Sequence, residues 1–118
     1  MKTTHDTICK AFYQYTQYYK DKAFVLHYPL ERKDANAFYR KHLASIGVVA
    51  GVPDYIIIKP YTNTLFLEIK TKGTYLNAKQ KNLKIYLEEQ NYFFKVAYSV
   101  NEACATFDQY MQNKLFNN

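Results

Sequence analysis

The 118-residue chain is long enough for one domain with one core. Its net charge of +6 and pI near 9.2 favour polyanionic partners such as nucleic acid or an anionic surface. No apolar run approaches the roughly 20 residues that span a bilayer, the opening MKTTHDTICKAFYQY lacks the apolar region of a secretory signal, and Cys9 and Cys104 lie too far apart for a metal motif and are too few for a disulfide framework. The expectation is a cytoplasmic protein with no membrane partner.

Ile8, Phe12, Tyr15 and Tyr19 repeat at helical spacing, which predicts a helix over about residues 4–20. Thr3 or Thr4 can cap it, with Asp6 in the first turn. Both cysteines fit apolar helix faces as small hydrophobes. AFVLHYPL reads as a strand stopped by Pro29. Asp34 can then cap a helix running to about Ile46, with Gly47 as its stop and Phe38, Leu43 and Ile46 as its apolar face. Tyr55–Lys59 and Thr64–Lys70 form a hairpin around Pro60 to Asn63. Both parities of these strands are apolar, so helices must cover both sheet faces. A helix follows from Asn77 to about Gln90, with Leu76, Leu83 and Leu87 facing the core. Tyr92–Tyr98 is a strand, parallel to the one before the helix. Ser99 or Asn101 caps a last helix to about Lys114, whose face carries Ala103, Phe107, Tyr110 and Met111. The order α-β-α-β-β-α-β-α makes an α/β fold with a mixed sheet of about four strands flanked by helices.

The hairpin also carries charges that a buried strand would reject unless they are paired or bound to an ion. Glu68 and Lys70 sit two apart, so their side chains share a face. Asp54 precedes the other hairpin strand and lands at the same sheet edge. All three have even numbers, so they share one face only if the turn leaves an odd number of residues unpaired or a bulge shifts the register. Two carboxylates converging there suit a hard cation, with the Ile69 backbone carbonyl as a third oxygen. Lys70 beside them can orient a water and stabilise developing charge. Together these residue types suit phosphodiester hydrolysis.

Pro53-Asp54 followed by Glu68-Ile69-Lys70 resembles the PD-(D/E)xK nuclease signature. The longer words GVVAGVPDYIII, LFLEIKTKGTYLNAKQKNL, LHYPLERK and NYFFKVAYSVNEA are similar to the virus-type replication-repair nuclease domain, VRR-NUC, within that superfamily. Leu30 stands where asparagine is common in the family. The resemblance runs from about residue 4 to 105. It implies a restriction-endonuclease-like core and a Mg²⁺- or Mn²⁺-dependent deoxyribonuclease, with residues 1–118 as a single nuclease domain. Asp54 and Glu68 would be metal ligands, Lys70 the catalytic lysine and Gln80 a supporting residue. An acidic residue of the first helix often joins such sites, and Asp6 is the candidate. Small members of this kind suggest a homodimer of phage or bacterial origin acting on branched or junction DNA.

Alternatives stand beside several of these readings. Asn77 to Gln80 is also a capping box, in which Gln80 bonds back to the cap amide. Lys72 and Lys79 can contact phosphates, giving salt-sensitive affinity, and Arg40 and Lys41, with Arg32 and Lys33, form a second basic patch. His27 either caps a polar pocket or faces DNA, as the resemblance implies. His5 reads as solvated and His42 as solvated or partly buried, and no two histidines have metal spacing. A catalytically idle nucleic-acid binder or a protein-interaction module on the same fold is the competing function, against which stand the intact Asp54, Glu68 and Lys70.

Overall fold

The computed structural model describes residues 3–29 and 36–117. Among the described residues, four α-helices and four strands follow the expected order: α1 His5–Thr16, β1 Phe24–His27, α2 Ala37–Ser45, β2 Tyr55–Ile58, β3 Leu65–Ile69, α3 Ala78–Glu89, β4 Phe93–Ala97 and α4 Val100–Met111. The strands form one sheet in the order β1-β2-β3-β4. β1 pairs antiparallel with β2, β2 antiparallel with β3, and β3 parallel with β4 through α3. This is the mixed, helix-flanked α/β architecture that the alternation of periods predicts.

Local chemistry sets the helix ends. The Thr4 hydroxyl accepts from the Thr7 amide at 3.1 Å and starts α1. The helix ends earlier than expected, because Thr16 turns its hydroxyl back onto the Tyr13 carbonyl at 2.7 Å. A 3₁₀ turn at Gln17–Tyr19 carries the chain on. Asn77 and Gln80 cap α3 reciprocally, and Ser99 accepts from the Glu102 amide at the start of α4. Asn36 caps α2 by accepting from the Tyr39 amide at 2.8 Å. The expected cap, Asp34, lies outside the described residues, as do Arg32 and Lys33.

The core lies on the odd-numbered face of the sheet. Tyr55, Ile57, Leu65, Leu67 and Ile69 pack against Ile8 and Phe12 of α1 and Ala103, Phe107 and Tyr110 of α4. Phe12 meets Tyr55 and Phe107 edge-on at 5.0 and 6.1 Å. Tyr15 donates to the Asp108 carboxylate at 2.7 Å and ties the two helices together. Lys59 reaches the end of α4, donating to the Met111 carbonyl at 2.9 Å, where a cation suits the helix dipole.

The even-numbered face is covered unequally. Phe94 is buried there and α3 packs over β4, but Phe24, Leu26 and Ile58 stay exposed on β1 and β2. α2 is the correction. Its expected core face is not buried: Phe38 is 84% exposed and Ile46 64%, and no residue of the helix is fully covered. A three-residue apolar stripe specifies which side of a helix prefers cover. It does not supply the covering element.

Candidate active site

The site forms where four chain segments end together: the first turn of α1, the loop entering β2, the last residues of β3 and the first turn of α3. The hairpin register decides the first question. Tyr55 faces Leu67, Ile56 faces Phe66 and Ile57 faces Leu65, so residues of like parity oppose one another. The turn leaves residues 58–64 unpaired, an odd number, as the shared face requires. One step outward, Asp54 stands against Glu68.

The two carboxylates are held by each other's strands. The Asp54 amide donates to Glu68 Oε1 at 3.2 Å, and the Ile69 amide donates to Asp54 Oδ2 at 2.8 Å. Gly51 makes this approach possible. Its φ is +87°, and a Cβ there would lie 3.0 Å from the Lys79 carbonyl carbon. The loop bearing Pro53 and Asp54 can therefore press onto the start of α3. From that helix Gln80, 1% exposed, donates through Nε2 to Glu68 Oε2 at 2.6 Å, while its Oε1 accepts from the Asn77 amide at 2.9 Å. One amide side chain thus fills both positions left open for it, capping the helix and holding the carboxylate. Lys70 Nζ lies 3.3 Å from Glu68 Oε2.

Electrostatics separates the two acids. Burial, then the neighbouring Asp54 carboxylate, pushes the Glu68 pKa up to about 8, outweighing the downward pull of Lys70. Burial acts upward on Asp54 too, but the bonds from His5, Glu68 and the Ile69 amide overcome it, and the net direction is down. Two neighbouring carboxylates disfavour joint ionisation, and Glu68, shifted upward, is the one harder to ionise.

The α1 residue that reaches this pair is His5. Its Nε2 lies 3.1 Å from Asp54 Oδ1. Cys9 Sγ, one turn along, lies 3.8 Å from the ring nitrogens. The bond to Asp54, then the contact with Cys9, raises the imidazole pKa to about 11 against the opposing effect of burial. The expectation of a solvated His5 is therefore corrected. The i, i+4 spacing of His5 and Cys9 was the available signal, and their meeting with Asp54 was not readable from spacing. Asp6 points outward with its side chain fully exposed and its carboxylate 3.6 Å from His5 Nδ1.

His5, Asp6, His27, Asp54, Glu68 and Lys70 are among the residues that line a cleft of about 700 Å³, and Ile69 also borders it. The His27 ring packs 4.8 Å from the Tyr55 ring at the cleft wall. Lys72 and Lys79 are exposed outside the lining, on the segment between β3 and α3 and on the first turn of α3. Arg40 and Lys41 lie on the exposed α2 and do not line the cleft.

The overall fold has counterparts among solved structures. Over 95% of its length the chain superposes on 91% of a protein described as "VRR_NUC domain protein", with a TM-score of 0.72 and 22% identity. A second, described as "VRR_NUC domain", matches over 92% of this chain and 99% of its own, with a TM-score of 0.62 and 15% identity. The chain has the VRR-NUC fold. No protein-family profile matches the sequence, and no curated protein does. The VRR-NUC likeness is thus carried by topology, and the charged residues of this chain stand on their own geometry. Among the described residues no helix is long and apolar enough to cross a membrane.

Proposed function

We propose that this chain is a metal-dependent nuclease that hydrolyses DNA phosphodiester bonds, with its residues forming a single nuclease domain. The observation that carries the reading is the reciprocal pinning of Asp54 and Glu68, each held by a backbone amide beside the other, with Lys70 alongside. The donor set fits a hard cation: the two carboxylates stand together at one sheet edge, each accepting from a backbone amide beside the other, and the Ile69 carbonyl adds a neutral oxygen to the same segment. Asp54, Glu68 and the Ile69 carbonyl would hold Mg²⁺ or Mn²⁺. When bound, such an ion supplies polarisation of the phosphate and a more acidic water.

The chain's own residues do the rest. Lys70 orients the attacking water and offsets negative charge that builds on the phosphate. Gln80 fixes the Glu68 carboxylate, so that oxygen is already placed when substrate arrives. The net charge of +6 favours a polyanionic substrate. Lys72 and Lys79 contribute phosphate contacts flanking the cleft, and Arg40 and Lys41 a further basic patch.

The test is a cleavage panel over flap, four-way-junction, single-stranded and plain duplex DNA, with Mg²⁺ or Mn²⁺. Cutting is expected with either ion and abolished by EDTA. Lys70→Ala lowers the rate roughly 10²–10⁴-fold, the range for a lost acid–base group. Undiminished cutting by both Lys70→Ala and Asp54→Ala overturns the residue assignment. DNA retention in a gel shift with no cleavage under any ion overturns the enzyme reading in favour of a binding module.

A further inference from the structure

His5, Cys9 and Asp54 form a cluster whose ligand atoms all lie within 4.8 Å of one another. Its chemistry differs from that of the Asp54–Glu68 pair, because it brings a nitrogen and a sulfur. His5 and Cys9 are one helical turn apart on α1, so their proximity follows from the helix alone. Asp54 comes from the other side of the sheet edge, its Oδ2 occupied by the Ile69 amide and its Oδ1 turned to His5. Bond lengths of about 2.3 Å to sulfur and 2.0 Å to nitrogen or oxygen put the ligand atoms of a tetrahedral zinc about 3.3–3.6 Å apart. His5 Nε2 lies 3.8 Å from Cys9 Sγ and 3.1 Å from Asp54 Oδ1, on either side of that separation. The Tyr55 hydroxyl donates to the Cys9 carbonyl at 3.0 Å and steadies this turn of α1.

We propose that His5, Cys9 and Asp54 bind a thiophilic divalent cation of the zinc class, leaving a fourth position open to the cleft. Cys9 is buried behind His5, outside the cleft lining, while His5 and Asp54 line the cleft through which an ion enters. Thiolate and imidazole select zinc over magnesium, which prefers an all-oxygen set. Ligands bind deprotonated, so any protons they carry go to the buffer, and no oxidant or reductant takes part. Asp54 belongs to both donor sets. A thiophilic ion that engages its Oδ1 therefore competes with magnesium, and zinc inhibits cleavage. The binding claim stands on the cluster alone; the inhibition rests on the nuclease reading.

Cobalt(II) is the probe. Titrated into the full chain with a non-thiol reductant, it is expected to give a thiolate-to-cobalt charge-transfer band that saturates at one equivalent and is bleached by zinc. Cys9→Ser and Cys9→Ala remove the band and weaken zinc binding at least tenfold in chelator competition, while Cys104→Ser keeps both. Circular dichroism verifies that each variant is folded, and the alanine variant suits the apolar surroundings if the serine one does not fold. A wild-type protein without the band, or a band that survives in both Cys9 variants, overturns the site. With cleavage measured in magnesium, added zinc slows the wild type, and its fractional effect shrinks in the Cys9 variants. Cutting that zinc leaves unchanged overturns the shared ligand. A protein that never cuts overturns the nuclease reading, and the cobalt titration still decides the cation site.

Discussion

Glu68 is the residue on which chemistry and stability conflict. It is 4% exposed, carries a negative charge when ionised and faces a second carboxylate. A folded pKa of about 8, above the ordinary 4.5, means that its contribution to stability is full below 4.5 and is lost as pH rises through about 8. His5, raised from 6.5 to about 11, contributes in full below 6.5 and loses that contribution progressively as pH rises from there through about 11, although its folded-state charge persists until near 11. Asp54, lowered, loses its contribution only below its ordinary value of 3.8. Between pH 5 and 9 Glu68 is thus the member of this trio that changes charge. Metal-free protein is expected to lose melting temperature across that window, while Glu68→Gln loses less and melts on the order of 5 °C above the wild type at pH 9. Thermal melts of both proteins in EDTA check this; equal slopes against pH would show that Glu68 is ionised throughout. The even numbers of Asp54, Glu68 and Lys70 marked them as candidates for one face, but burial of Glu68 and the bond from Gln80 depend on where α3 lands.

At the scale of elements, the loop before β2 and the start of α3 are fitted to each other. Gly51→Ala meets two penalties, a positive φ and a Cβ 3.0 Å from backbone that cannot swing aside. A loss of about 1–3 kcal/mol is expected in urea unfolding. The same change opens the Asp54–Glu68 pair, so cleavage falls more than stability alone explains. α2 behaves in the opposite way. Phe38 lies on the stripe that periodicity assigns to the core, yet 84% of it is exposed. Phe38→Ser is expected to shift stability by less than about 0.5 kcal/mol, as for other surface changes. A larger loss in denaturation of the isolated chain would mean that α2 packs more closely than this structure has it. Helix caps at Thr4, Asn77 and Ser99 were legible because a cap reaches only three positions along the chain. The packing of α2 was not, since it depends on elements far along the chain.

At the scale of the molecule, charge and shape divide the work. On the nuclease reading, the net charge of +6 would act over a Debye length and favour a polyanion without reading its sequence, and the cleft would select what reaches the carboxylates. If Lys72 and Lys79 each neutralise one phosphate, replacing either with alanine weakens DNA binding across sequences and reduces the log–log salt slope by about 1. Fluorescence anisotropy titrations at several salt concentrations measure that slope, and an unchanged slope in the double variant would remove both from the interface. The VRR-NUC fold shapes this cleft with four segments that are remote in sequence, and the exposed apolar residues of β1 and β2 lie on the less covered face of the same sheet.

Properties that depend on neighbours along the chain were determined by the sequence itself. These are the order of helices and strands, the caps, the hairpin and the spacing that sends Glu68 and Lys70 to one side, because 3.6- and 2-residue periods act locally. Tertiary structure alone decided that His5 and not Asp6 meets Asp54, that Gln80 both caps α3 and holds Glu68, and that α2 lies open. Those outcomes depend on distances between residues up to about fifty positions apart. Desolvation and Coulomb interaction follow separation in space, which no local pattern encodes.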